Sequence, residues 1–173
     1  KKQIFKSSAI FRPNDLTKTK HKKTSSANLA IKSISKLFYK NSSLKKEIDF
    51  LIYCTQSPDY FLPSGSSIIQ NKIFPNRYIG SMDINLGCSG FVYSLSVAKG
   101  LLATGEAKKV LIVTSETYSK FISEDDTSVR SIFGDASSAV IVENMKTNNN
   151  NNIFQFDQGT DGSGKYDLIL PGS

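Results

Sequence analysis

The 173-residue chain is 39% apolar and 21% charged and has a formal net charge of +7, so it can bury a sizeable core of its own. No apolar run approaches the ~20 residues that cross a bilayer, so no membrane association is expected. Two cysteines and one histidine exclude a disulfide framework and a multi-histidine metal site. We expect no metal ion and no cofactor.

The positive charge is concentrated at the start of the chain. Residues 1–46 hold twelve Lys and one Arg against one acidic residue, whereas 47–173 hold nine basic and fourteen acidic residues. Because aromatic residues and Arg are not interleaved there, we favour a solvated surface over a nucleic-acid site. Residues 1–23 show weak periodicity and are predicted to be a basic, poorly structured N-terminal segment. The chain begins at Lys1 instead of Met and has no signal peptide, which predicts that the natural N-terminus lies upstream.

Helices and strands alternate from residue 24 onwards. Ser25 or Ser26 caps a helix that ends near Asn41, Ser64 caps a second helix that ends at Pro75, and a third helix follows Gly90. Short apolar runs predict five strands, at 48–54, 82–86, 110–113, 139–142 and 153–156. This alternation predicts an α/β fold, with a mixed, mostly parallel five-stranded sheet and helices on both faces.

Cys88 lies in a glycine-flanked turn, Gly87-Cys88-Ser89-Gly90, between a buried strand and a helix. The free N–H groups and the dipole of a helix N-terminus lower a thiol pKa, which favours the nucleophilic thiolate. A buried cysteine that acts as a small apolar side chain is the alternative at this position. Cys54 ends a plain apolar strand without glycine neighbours, and there we favour the structural role.

Residues 83–91 (DINLGCSGF) resemble the nucleophile motif of the ketoacyl-ACP synthase III family, in the thiolase superfamily. Four further motifs have the order and spacing of that family: 111–116 (LIVTSE), 133–136 (FGDA), 161–164 (DGSG) and 168–172 (LILPG). The family joins two similar α/β halves, and the resemblance covers the first, over residues 24–173. It implies a thiolase-like half whose second half is absent and whose opening strand is missing or cut short.

The resemblance implies that Cys88 accepts an acyl group from acyl-CoA and that a carbanion from malonyl-ACP then attacks the thioester. The His and Asn that promote decarboxylation belong to the second half, so we expect the 173-residue portion alone to be inactive. His21 is upstream of the motifs and is read as a surface residue. The implied partners are acyl carrier protein, acyl-CoA and a second copy in a homodimer, in the cytoplasm.

Two further site residues follow from the resemblance. Leu62 matches a loop residue that reaches the acyl pocket of the partner subunit, and Phe133 matches a phenylalanine that lines the active site. Each residue is also consistent with ordinary packing. Where the family places an Arg that stacks on the CoA adenine, this chain reads 126–128 (DTS), with Arg130 close by. An ACP-borne acyl donor, or an acyl group that is not a fatty acid, therefore fits this departure equally well.

Two alternative functions remain open at this stage. One keeps the acyl-Cys intermediate but transfers the acyl group to a hydroxyl or amine. The other is a non-catalytic half-subunit that scaffolds a partner.

Overall fold

The computed structural model describes residues 2–11, 24–123, 125–145 and 155–170. It contains five strands and five α-helices within those residues. In chain order they are β1 (Lys2–Phe11), α1 (Ser26–Lys40), α2 (Leu44–Glu47), β2 (Phe50–Cys54), α3 (Gly65–Ile73), β3 (Gly80–Ile84), α4 (Gly90–Thr104), β4 (Lys109–Glu116), α5 (Thr127–Arg130) and β5 (Ala136–Met145). A short 3₁₀ helix covers Tyr118–Lys120.

The five strands form one sheet in the order β1-β5-β4-β2-β3. β2 runs parallel to β3 and to β4, while β5 is antiparallel to β4 and β1 is antiparallel to β5. Cys54 therefore lies opposite Ile84 on one side and Thr114 on the other. Because the carboxyl ends of β2, β3 and β4 meet at one edge, the segments that follow these strands are brought together there.

The helices cover both faces of the sheet, as predicted. One core cluster joins α1 and α3 to the sheet, with Ile34, Leu37, Leu51 and Leu111 among its buried members. The second cluster lies under α4, where Ala98 and Leu102 are buried. The sheet is therefore the middle layer of the fold, and α4 covers the face opposite α1.

The predicted caps at the start of α1 and α3 and the predicted end of α1 near Asn41 are confirmed. The Ser25 Oγ accepts a hydrogen bond from Asn28 N at 3.2 Å, and Asn41 is the C-cap of α1. Ser64 Oγ accepts from Ser67 N at the start of α3. Gly105 ends α4 with φ of 85°, a left-handed conformation that glycine adopts without strain.

The prediction for residues 1–23 is wrong over Lys2–Phe11, which form β1 as ten residues of edge strand paired with β5. The polar residues Lys6 to Ser8 interrupt the alternation of apolar and polar side chains that would indicate a strand. The pairing of β1 with β5 also shifts register between Phe5 and Ser7. The partner is more than 120 residues away, so local pattern gives no signal for the pairing. The resemblance implied an opening strand that is missing or cut short, and β1 shows that the strand is not missing. Residues 12–23, which include His21, lie outside the described residues.

The composition of the sheet also differs from the prediction. The sheet is mixed, but two of its four strand pairings are antiparallel, so it is not mostly parallel. Of the fifth strand predicted at 153–156, Gln155 and Phe156 are not in a strand, and 153–154 lie outside the described residues. The fifth strand of the sheet is β1, which pairs with β5.

Candidate functional site

Cys88 lies where β3 meets α4. After β3, the chain turns through Gly87 to Gly90, and Gly90 N donates to Gly87 O at 2.8 Å. Ser89 is the N-cap of α4, so the Cys88 thiol stands immediately before the helix and its side chain is exposed. The structure thus gives this cysteine the solvent access and the helix-terminal position that a nucleophilic thiol requires.

Cys54 has the opposite environment. Its thiol is buried and donates to Leu86 O at 3.3 Å, and burial raises its pKa. A buried, protonated thiol is a poor nucleophile. Its sulfur lies directly beneath Gly90, so this residue packs under the turn that carries Cys88.

Glu116, the last residue of β4, connects two of the segments at this edge. Its carboxylate accepts hydrogen bonds from Gln56 N and Ser57 Oγ, both at 2.7 Å. Ser57 Oγ in turn accepts from Thr117 N at 2.8 Å. Burial raises the pKa of the Glu116 carboxyl, and these hydrogen bonds counteract the rise. The loop after β2 is therefore fixed to the end of β4.

Tyr118 and Gln56 extend this arrangement to the Cys88 turn. The Tyr118 hydroxyl donates to Oε1 of Gln56. Burial is the main cause that raises the Tyr118 pKa, followed by the charges of Glu116 and Cys88. Because its pKa is raised, the Tyr118 hydroxyl stays protonated and acts as a neutral hydrogen-bond donor.

Phe133 lies beside this group. Its ring stacks on that of Tyr118 with centroids 5.4 Å apart and an interplanar angle of 27°, and 42% of its surface is exposed. The structure therefore packs Phe133 against Tyr118, whose pKa the charge of Cys88 helps to raise. A role in lining the active site stays a prediction.

Leu62 lies in a different place, on the loop between β2 and α3. Its side chain is 86% exposed and that of Phe61 is 85% exposed. Two neighbouring apolar side chains in solvent are unusual in a solvated loop. Contact of Leu62 with a partner subunit stays a prediction.

The departure at 126–128 has a local explanation. Oδ1 of Asp126 accepts hydrogen bonds from Ser128 N at 3.1 Å and Val129 N at 3.2 Å, which caps α5. The Ser128 hydroxyl also donates to Oδ1 at 2.6 Å, and this hydrogen bond is the main cause that lowers the pKa of the Asp126 carboxyl, followed by the one from Val129 N. Arg130 is the last residue of the same short helix.

The sequence analysis missed Gln56, Glu116 and Tyr118. Each follows or ends one of the parallel strands at the edge that holds Cys88, and this position was the available signal. Within the described residues, no group of three His, Cys, Asp or Glu side chains could hold a metal ion. Nor is any helix in the described part of the chain long and apolar enough to span a membrane.

Comparison with known proteins gives one consistent family. The model of the 3-oxoacyl-[acyl-carrier-protein (ACP)] synthase III family matches residues 82–162. A beta-ketoacyl-[acyl-carrier-protein] synthase III of Halalkalibacterium halodurans is 32% identical over 146 residues, which is 84% of this chain and 43% of that protein. One of Staphylococcus epidermidis is 37% identical over 117 residues, 68% of this chain and 36% of that protein. The chain thus spans less than half the length of these curated relatives.

Solved structures agree with these matches. A 2.1 Å crystal structure of a 3-oxoacyl-(acyl-carrier-protein) synthase III has a TM-score of 0.87 and 34% identity, over 98% of this chain and 58% of that one. The synthase III of Thermus thermophilus has a TM-score of 0.86 over 98% of this chain and 59% of that one; at 22% identity it supports the fold alone.

Proposed function

The chain belongs to the ketoacyl-ACP synthase III family and corresponds to the N-terminal, thiolase-like half of its members, and from this we propose that it carries the nucleophile of an acyltransferase. The observation that carries the proposal is the exposed Cys88 in a glycine turn that opens α4, against the buried Cys54.

The proposed first step is acyl transfer to Cys88. Its thiolate attacks the carbonyl carbon of an acyl thioester, a carbon–sulfur bond forms to Cys88, and the bond to the donor's sulfur breaks. The donor leaves as a thiolate and takes up a proton. The free N–H groups at the start of α4 favour the negative charge on the attacking sulfur and on the tetrahedral oxygen.

The proposed second step is condensation with malonyl-ACP. Loss of carbon dioxide from the malonyl group leaves a carbanion, which attacks the acyl-Cys88 carbonyl, forms the new carbon–carbon bond and releases the Cys88 thiolate. Proton transfer and enolate stabilisation need donors besides a thiolate. The only histidine of the chain, His21, is upstream of the family motifs. We therefore propose that residues outside this chain complete the step and that the 173-residue portion alone does not condense.

The surface of α4 supports the proposal that a further layer completes the fold. The helix is apolar on most of its faces, yet only Gly90, Ser94, Ala98 and Leu102 are buried. Val92 is 44% exposed. A helix that is apolar all round is normally buried all round. The second half that the family resemblance implies would cover this side.

Mapping the acylated residue tests the proposed function. The full-length protein is incubated with acyl-CoA or acyl-ACP, and the adduct is located by peptide mass spectrometry. We expect the acyl group on Cys88 with at least one donor and none on Cys54 in the folded protein, because burial keeps the Cys54 thiol protonated. Acylation of Cys54, or of neither cysteine with both donors, would refute the assignment. Adding malonyl-ACP then separates condensation, which releases carbon dioxide, from transfer to a hydroxyl or amine.

The exposed loop supports a second proposal, that the protein is a homodimer in which Leu62 reaches the partner's acyl pocket. In the described residues, β3 pairs on one side only, with β2, so its other edge is free to meet a second copy. Phe61 and Leu62 would be buried twice in a two-fold contact.

Leu62→Ala is therefore expected to change acyl-chain preference without unfolding the protein. Loss of one interface side chain costs about 1–2 kcal/mol of interface free energy, less than a core cavity. Relative rates with short and longer acyl donors measure the preference, and light scattering measures the oligomeric state. A monomer at micromolar concentration, or an unchanged preference, would contradict the prediction.

A further inference from the structure

Gln56 rests on the backbone of the turn that carries Cys88. A methyl group placed on Gly87 would lie 3.0 Å from Cδ and 3.4 Å from Nε2 of Gln56, and would contact Oε1 more closely still. The oxygen end of the carboxamide therefore lies against Gly87, at a distance that leaves no room for a side chain there. Gly87 immediately precedes Cys88, so the position of this amide bears on the position of the thiol.

Two contacts fix Gln56 itself. Its backbone N–H is bound at 2.7 Å by the carboxylate of Glu116, which anchors the main chain. Its side chain accepts the hydroxyl of Tyr118, which sets the orientation of the carboxamide. The side-chain contact is the one at the turn, because the same carboxamide oxygen lies against Gly87.

Tyr118 is held in place by its own neighbours. Its ring stacks on Phe133, and Phe121 packs edge-on against it with centroids 6.2 Å apart and an interplanar angle of 87°. Two aromatic contacts leave the ring little freedom. The hydroxyl is thus a fixed donor, and Gln56 transmits its position to Gly87.

We propose that Tyr118 is a positioning residue for Cys88, acting through Gln56: its hydroxyl holds the carboxamide against Gly87, so the turn presents the thiol in one orientation. The inference rests on the proposed acylation of Cys88. Thioester attack depends on this geometry, since small displacements of a reacting atom lower rates strongly. A small soluble alkylating reagent approaches from any side and does not depend on it.

Tyr118→Phe and Gln56→Met test the proposal, because each removes one partner of the same hydrogen bond with little change in shape. In the full-length protein at saturating acyl donor, each is expected to lower the rate constant of Cys88 acylation about tenfold, with the donor's KM unchanged. The double variant is expected to be no slower than the slower single variant, because the two residues act as a unit. Alkylation of Cys88 by iodoacetamide should stay within about twofold of the unsubstituted protein.

Tyr39→Phe is the matched control, since Tyr39 is 92% exposed on α1, and its acylation rate should not change. Unchanged acylation in Tyr118→Phe, or additive losses in the double variant, would overturn the proposal while the proposed function stands. Parallel losses of acylation, alkylation and melting temperature would also overturn it, because they indicate a purely structural role. If the unsubstituted protein is not acylated at Cys88, the proposed function fails first and this inference fails with it.

Discussion

Cys88→Ala is expected to lower turnover of acyl donor at least about a thousandfold, because it removes the atom that forms the acyl-enzyme bond. No other described thiol can replace it, since the second cysteine, Cys54, is buried and its pKa is raised. The measurement is release of the donor thiol by the full-length protein, with malonyl-ACP present. Melting temperature should change little because the Cys88 side chain is exposed.

Cys54→Ala is the matched control for this experiment. It removes the other thiol, and its turnover is expected to stay within about threefold of the unsubstituted protein, because it leaves the nucleophile and the turn in place. A Cys88→Ala variant that retains turnover would show that the acyl group is carried elsewhere. Loss of turnover in Cys54→Ala with full activity in Cys88→Ala would reverse the assignment.

The contrast between the cysteines was available from the sequence because it depends on local pattern. Glycines flank Cys88, and an apolar run ends at Cys54. In each case the few residues on either side are enough to indicate whether the thiol lies in a turn or in a buried strand. The same holds for α1, whose capping serine and apolar spacing are both local. Predictions of this kind hold in the folded structure because they depend only on local backbone geometry and on the helical period.

The elements that could not be predicted depend on contacts between distant segments. β1 forms by pairing with β5, and no local sequence feature of Lys2–Phe11 predicts a strand there. Gln56 and Tyr118 are 62 positions apart and meet only because β2 and β4 are neighbours in the sheet. Strand order is therefore the missing information: once it is known, the carboxyl edge of the sheet indicates which loops surround Cys88.

The packing under the Cys88 turn leads to the largest expected effect on stability. Gly90 is buried at the first position of α4, and its missing side chain makes room for the sulfur of Cys54. A methyl group there would overlap this sulfur and lie 3.2 Å from Cβ of Leu86. Cys54 has little freedom to move away, since it lies in β2 between two neighbouring strands and its thiol donates to Leu86 O.

Gly90→Ala is therefore expected to lower the free energy of unfolding by about 1–3 kcal/mol, the usual range for an overpacked core, although alanine is the better helix former. Gly100→Ala is the control within the same helix, because a side chain there meets nothing within 4 Å. It should raise the free energy of unfolding by about 0.5–1 kcal/mol. Urea unfolding of the full-length variants measures both changes.

The double variant Gly90→Ala with Cys54→Ala identifies the cause. If the alanine methyl group conflicts with the Cys54 sulfur, removing that sulfur makes room for it. The double variant should then be more stable than the sum of the two single effects by about 1 kcal/mol or more. We also expect Gly90→Ala to lower the rate of Cys88 acylation, because the overlap would displace the turn, and we expect this rate to recover in the double variant. If the two single changes in unfolding free energy simply add, the strain in Gly90→Ala lies in the backbone of the turn and not against Cys54. If Gly90→Ala is more stable than the unsubstituted protein, there is no overlap.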